Sequence, residues 1–256
     1  MELPLFPLNS VLCPGIALPL HIFEDRYREL VRHCIDTTSP FGIVLIREGR
    51  EVGTGAISFT GIGTIAEIRD AGRYEDGRYD LLVVGTRRFE IRRVLSGRRP
   101  YLVAEVDVLD ETVGDEAVAH RLAMAATRRF VTYLELLQPR SGETAEEIDV
   151  RVEVETADDD EDEAPEVEGT SEDPTEAEEG GRRRRVMIPD DPTVLSYLLA
   201  GIVQIESPRR QALLEMPTTE ARLRTLLRTI EREIFLLERR LRLYHPDARL
   251  HGSRRS

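Results

Sequence analysis

The run YDLLVVGTRRFEIRRV, residues 79–94, decides how the rest of the chain is read. Tyr79 to Val84 show a period of two, and further on Phe89 and Ile91 fall on one face while Arg88, Glu90 and Arg92 fall on the other, which predicts a strand whose Phe89 face is buried. Just upstream, Asp76-Gly77 reads as a tight hairpin turn, because glycine accepts the positive φ such a turn requires. Before it, Gly53, Gly55, Gly61 and Gly63 crowd the preceding strand and predict the bulges and sharp coiling of a small barrel; no G-x-G-x-x-G fingerprint fits over them. Downstream, Leu102, Ala104, Val106 and Val108 alternate again. One helix is expected inside this β-rich region, with Phe23, Tyr27, Leu30, Val31 and Cys34 on one face and Glu24 four residues ahead of Arg28.

Near Asp115 the period changes to that of a helix, with Ala119, Leu122, Ala126, Phe130, Tyr133 and Leu137 on one stripe and Pro139 stopping it. Three more helices are expected, opened by Asp191-Pro192, Ser207-Pro208 and Thr218. The last of them carries Leu223, Leu227, Ile230, Ile234, Leu237, Leu241 and Tyr244 at heptad spacing. Leu226, Phe235 and Leu236 widen the stripe, so packing against the chain's own helices is preferred to dimerisation through residues 218–244. The class is therefore α+β: a β-rich domain over 1–112, a first helix of a helical domain over 113–140, an insert over 141–185, the remaining helices over 186–245 and a polar tail over 246–256.

Composition bounds the chemistry. The chain has 256 residues, and all 35 of its basic residues are arginine. Without lysine there is no P-loop, no Ser/Lys dyad and no Schiff base. Fifteen of the acidic residues behind the net charge of −13 lie between Glu153 and Glu179, leaving +2 for the remainder. Residues 141–185 hold almost nothing large and apolar, so chain entropy is expected to keep them disordered. Two cysteines, Cys13 and Cys34, are too few for a disulfide scaffold and read as buried thiols. The apolar start lacks a basic stretch and is broken by Pro4, Pro7, Pro14 and Pro19, so neither a signal peptide nor a membrane helix is expected and the cytoplasm is the expected compartment.

The segments ELPLFPLNSVLCPGIALPLHIFEDRYRELVRHCID, GIGTIAEI, DLLVVGTRRFEI and RRQALLEMPTTEARLRTLLRTIEREIFLLERRL together resemble the N-terminal substrate-binding domain of Lon proteases. The resemblance implies a PUA-like pseudo-barrel with one inserted helix, followed by a helical bundle ending in a long helix. It further implies a stand-alone, non-catalytic polypeptide-binding module or adaptor that recognises unfolded or hydrophobic segments and works with a protease or chaperone machine. The acidic insert departs from that pattern.

Catalytic and metal roles find no support in spacing. His21, His33, His120, His245 and His251 show no H-E-x-x-H pairing, no serine sits in a G-x-S-x-G elbow, and no metal or cofactor is expected. Candidate peptide-binding residues, by side-chain type alone, are Phe59, Tyr74, Tyr101, Phe130 and Tyr133, each of which also suits a core. The strongest charge signal is Arg87, Arg88, Arg92, Arg93, Arg98 and Arg99, six guanidiniums against Glu90 alone. As a stripe they offer the alternative function, a PUA-like nucleic-acid or nucleotide binder; as a solvated edge in a lysine-free chain they need no ligand.

Overall fold

The computed structural model describes residues 1–48, 58–95, 97, 99–137 and 188–244. Seven strands and five helices follow in the order β1 (Glu2–Leu8), β2 (Ala17–Ile22), α1 (Asp25–Thr37), β3 (Phe41–Glu48), β4 (Ser58–Phe59), β5 (Ile62–Arg73), β6 (Tyr79–Leu95), β7 (Leu102–Val108), α2 (Glu116–Leu137), α3 (Pro192–Ile202), α4 (Ser207–Leu214) and α5 (Thr219–Tyr244). The expected insert over 141–185, the tail over 246–256, Gly53, Gly55 and Arg98 lie outside the described residues.

The β region closes on itself. Strand pairing runs β1-β7-β6-β5-β3, and a parallel pairing of β1 with β3 completes the ring. β6 is 17 residues long, so its first half extends beyond that ring, where it is flanked by β2 on one side and β5 on the other. Register shifts in the β5–β6 and β6–β7 ladders supply the bending that the glycine-rich sequence predicts. Gly63 shows why no side chain is tolerated there: a Cβ would collide with the Ile43 carbonyl and approach Phe89 to 2.7 Å. Gly77, at φ 83°, makes the β5–β6 hairpin turn.

Two apolar clusters fill the β domain. Leu3, Leu5, Val44, Ile65, Phe89, Ala104 and Val106 form one, and the buried face of α1 (Tyr27, Leu30, Val31, Cys34) packs with Tyr79, Leu81 and Val83 of β6 in the other. Phe23 departs from expectation. It precedes α1, is 50% exposed, and continues the outward parity of β2 rather than the helix stripe. Glu24 pairs with Arg26 at 3.0 Å, and Arg28 binds Asp25 and the Asp76 and Gly77 carbonyls at the hairpin, so the expected Glu24–Arg28 pair is replaced.

A third cluster joins α2 to α5, with Ala119, Ala126, Phe130 and Tyr133 meeting Leu199, Leu223, Leu226 and Ile230. Asp191 caps α3 by accepting from the Thr193 and Val194 amides, and the Thr218 hydroxyl accepts from Ala221 at the start of α5. Ser207 does not cap α4; its hydroxyl donates to the Asn9 carbonyl in the loop between β1 and β2. Along α5, Leu223, Leu226 and Ile230 are buried in the chain's own bundle while Phe235 and Leu236 are exposed.

Candidate functional site

Two surfaces and one buried cluster carry the side chains that bear on function, and of the residues nominated from sequence they hold Tyr74 and the described arginines of the stripe. The buried cluster lies at the seam between barrel and bundle. Arg88 donates from Nε to Glu111 Oε1 at 2.8 Å and from Nη1 to the carbonyls of Leu214 and Met216 at 2.9 and 2.8 Å. Arg222, fully buried on α5, donates to the Leu213 carbonyl and the Ser196 hydroxyl, and its guanidinium stacks 3.8 Å above the Tyr197 ring. Tyr197 in turn donates to Glu111 at 2.7 Å.

Two cations thus share one carboxylate, and the remaining compensation comes from the last carbonyls of α4, the negative end of a helix dipole. Burial alone would raise the Glu111 pKa, but the hydrogen bonds from Arg88 and Tyr197 and the charge of both arginines hold it below the usual carboxylate range. Burial likewise pushes the Arg222 pKa down and the Tyr197 hydroxyl up. This arrangement is a structural joint, with every strong donor committed.

Arg88 therefore leaves the predicted basic stripe. Its strand face points outward from the barrel, as the alternation required, but the bundle covers that point and leaves it 3% exposed. Three other members of the stripe meet carboxylates distant in sequence. Arg87 pairs with Asp110 at 3.4 Å, Arg92 with Asp107, and Arg93 with Glu105 at 2.7 Å. Each acid lies in or just after β7, the neighbour of β6, so the stripe is one half of a cross-strand ion-pair ladder. Arg99 is exposed.

The second surface is aromatic and lies where β2, β5 and β6 extend past the closed ring. Ala17, Pro19, His21 and Phe23 are all exposed on one parity, and in the β2–β6 register Pro19 faces Leu82 and His21 faces Asp80. The His21 ring lies 6.2 Å from both Phe23 and Tyr74, and Arg78 sits over Tyr74 at 5.4 Å. Asp80 ties the group together, bound to His21 Nδ1 at 2.6 Å and to the Tyr74 hydroxyl; those bonds hold its pKa below the usual range. Phe23, Tyr74 and Leu82 are 50%, 44% and 41% exposed, an uncommon concentration of large apolar side chains on one sheet end.

Of the five aromatic candidates, only Tyr74 belongs to this surface. Phe59 is half-buried and packs on the Leu3 cluster, whereas Tyr101, Phe130 and Tyr133 are core residues at 5%, 0% and 2% exposure. Side-chain type alone does not separate a surface aromatic from a core one. The sequence signal for His21, Phe23 and Leu82 is the continuous parity Ala17, Pro19, His21, Phe23 together with the strand opposite it. Both thiols are buried, which pushes Cys13 and Cys34 up to about 11. Among the described residues no three His, Cys, Asp or Glu side chains are grouped to hold a metal ion, and no helix is long and apolar enough to cross a membrane.

Residues 2–232 match the family described as the ATP-dependent protease La (LON) substrate-binding domain. Among curated proteins, Lon protease 2 of Myxococcus xanthus is 32% identical over 117 residues, 45% of this chain and 14% of that protein. Lon protease of Anaeromyxobacter dehalogenans is 28% identical over 137 residues, 53% of this chain and 16% of its own length. The chain thus spans less than a fifth of the length of these relatives. A solved Lon N-terminal domain protein from Xanthomonas campestris superimposes with a TM-score of 0.54 at 26% identity, covering 89% of this chain and 97% of its own. The N-terminal domain of Mycobacterium avium complex Lon protease shares the fold, with a TM-score of 0.54 at 17% identity over 90% of this chain and 98% of that one.

Proposed function

The chain belongs to the family of the ATP-dependent protease La (LON) substrate-binding domain, and from that premise we propose that it is a non-catalytic polypeptide-binding module whose recognition surface is the aromatic end of the β2–β6–β5 sheet. The observation that carries this reading is the row Phe23, His21, Tyr74 and Leu82, held by Asp80 and Arg78 and left uncovered by the other described residues. Rigid aromatic side chains contribute contact area at low entropic cost, which suits segments that share hydrophobic character rather than one sequence. The unfolded or hydrophobic segments of client proteins are its ligands, and delivery to a protease or chaperone machine is its use. The nucleic-acid alternative loses its main support, since Arg88 is buried and Arg87, Arg92 and Arg93 are already paired.

The test is binding of reduced, carboxymethylated casein followed by fluorescence anisotropy. The double variant Phe23→Ser/Tyr74→Ser is expected to bind at least about tenfold more weakly, with an unchanged melting temperature because both side chains are exposed. Binding by the parent should change little between low and high salt, as apolar capture does, where phosphate binding would fall steeply. Equal binding by parent and variant would remove the aromatic surface from this role.

A further inference from the structure

Beside the aromatic surface, β5 presents a stretch of edge that no described strand covers. β5 pairs with β6 from Ile62 to Arg73, but on its other side β3 accompanies it only from Thr64 to Ala66. The reason is local. Thr38 takes the left-handed conformation at φ 49° to end α1, and Pro40, which has no amide hydrogen, immediately precedes the first paired residue Phe41. The chain entering β3 therefore comes from α1, and Glu67 to Arg73 are left without a neighbour on that side among the described residues. Exposure rises at that point: Thr64 to Ala66 are buried, Glu67 and Ile68 half-buried, Arg69 to Arg73 exposed.

The open edge borders a groove of about 520 Å³ between the end of α1 and β5, lined by Ile35, Thr38, Pro40, Ile68, Arg69 and Asp70. Ile35 is 41% exposed there and Ile68 half-buried, so the groove offers apolar footing beside the backbone. At the hairpin, Tyr74 donates its amide to Arg78, so by strand alternation Gly72 and Asp70 direct their amides to β6 while Ala71 and Arg73 direct theirs to the open side. The Ala71 amide is held at 2.9 Å by the carboxylate of Asp70, a local cap that covers the edge when nothing else does. Seven residues of edge span about 23 Å, at roughly 3.3 Å per residue.

Resting on the reading of the chain as a polypeptide-binding module, we infer that an extended client segment adds to this sheet as an extra strand along Glu67–Arg73. Its backbone replaces the Asp70 cap at Ala71 and pairs with Arg73, and its alternate side chains rest on Ile35 and Ile68. The complement of a row of unpaired strand amides and carbonyls is another strand's backbone, which fixes the conformation of the ligand and leaves its sequence free. Charge leaves the edge neutral: the carboxylates of Glu67 and Asp70 are balanced by the guanidiniums of Arg69 and Arg73, so an uncharged, extended segment fits and no net field selects a charged one.

The probe is a fluorescein-labelled octapeptide of alternating Val and Thr, compared with the same peptide N-methylated at alternate amides. Methylation removes the donors that face one edge, and Ala71→Pro removes the chain's own donor without touching the β6 ladder. Alternate methylation removes several backbone hydrogen bonds and is expected to weaken binding about tenfold, while Ala71→Pro, which removes one, is expected to weaken it about threefold. If Ala71→Pro fails to fold, the methylated peptide alone decides. Equal affinity for both peptides overturns strand addition, as does binding of carboxymethylated casein without binding of the octapeptide, and in those cases polypeptide recognition survives. A parent chain that binds neither casein nor octapeptide overturns both.

Discussion

Arg88 and Arg222 at the seam and Arg92 and Arg93 on the β6–β7 ladder are chemically identical side chains with opposite surroundings. At the seam the guanidiniums are 3% and 0% exposed, committed to one carboxylate, one aromatic ring and the terminal carbonyls of a helix. On the ladder they are 61% and 67% exposed and each faces one carboxylate across the sheet in water. A cation taken out of water must be held by several fixed groups, and its loss is felt by all of them. A cation left in water contributes little because the solvent already satisfies it. The seam therefore joins the two halves of the molecule, whereas the ladder only keeps a strand pair soluble and in register.

The largest expected effect breaks the comparison at its strong end. Arg222→Ala removes a fully buried side chain, opens a cavity, and leaves the Leu213 carbonyl and Ser196 hydroxyl without their donor. A destabilisation of about 3–5 kcal/mol is expected, read as a lowered urea midpoint. Arg222→Met separates the contributions, since it keeps much of the volume and removes the charge. If the methionine variant is as stable as the parent, packing and not the ionic cluster holds the seam, and the contrast between the two groups of arginines would rest on burial alone.

How much of this was legible follows the range of each interaction. The barrel and the helices were readable because periodicity, a hairpin glycine and helix caps act within a few residues: Gly77 takes the predicted positive φ, and Asp191 caps α3. The seam was not readable. Arg88 looked like its neighbours Arg87 and Arg92 because its partners Leu214 and Met216 are 126 and 128 residues away. The ladder was legible only in part: a solvated edge can be read from the sequence, but its pairing cannot, since Glu105 and Asp107 stand 12 and 15 residues from Arg93 and Arg92. The aromatic surface falls between these cases. Side-chain type points to Tyr74, while Phe23 reads as part of the helix stripe because Glu24 and Asp25, which open α1, stand directly after it.

A pH titration sharpens the comparison at intermediate size. The folded-state pKa of Glu111 is held below its ordinary value of 4.5, so the folded state favours the ionised form. That contribution is fully present above the unfolded-state value and is lost as pH falls through the folded-state value. Thermal melts should therefore hold steady from pH 7 to pH 5 and fall below about 4.5. Glu111→Gln should be less stable than the parent near neutrality and show a shallower decline in acid, the gap between the two curves closing as Glu111 protonates. A gap that stays constant down to the acid limit would mean that Glu111 contributes through shape and hydrogen bonding, not through its charge.

The smallest effect tests the weak end. Arg92 and Arg93 lie in open water, and each has its pKa raised by the hydrogen bond and charge of its partner, Asp107 or Glu105. Exposed pairs of this kind lose most of their Coulomb attraction to solvent and to salt, whose screening length is about 8 Å at physiological strength. The double variant Arg92→Gln/Arg93→Gln should melt with the parent within experimental scatter, and casein binding should be unchanged because neither residue touches the aromatic surface. The same variant settles what remains of the stripe as an anion site: paired guanidiniums must first surrender their carboxylates to a phosphate, so a fluorescent single-stranded oligonucleotide should bind weakly to the parent and equally weakly to the variant. Tight, steeply salt-dependent binding by the parent that disappears in the variant would show that the ladder opens to phosphate, and the weak end of the comparison would then be a functional surface in its own right.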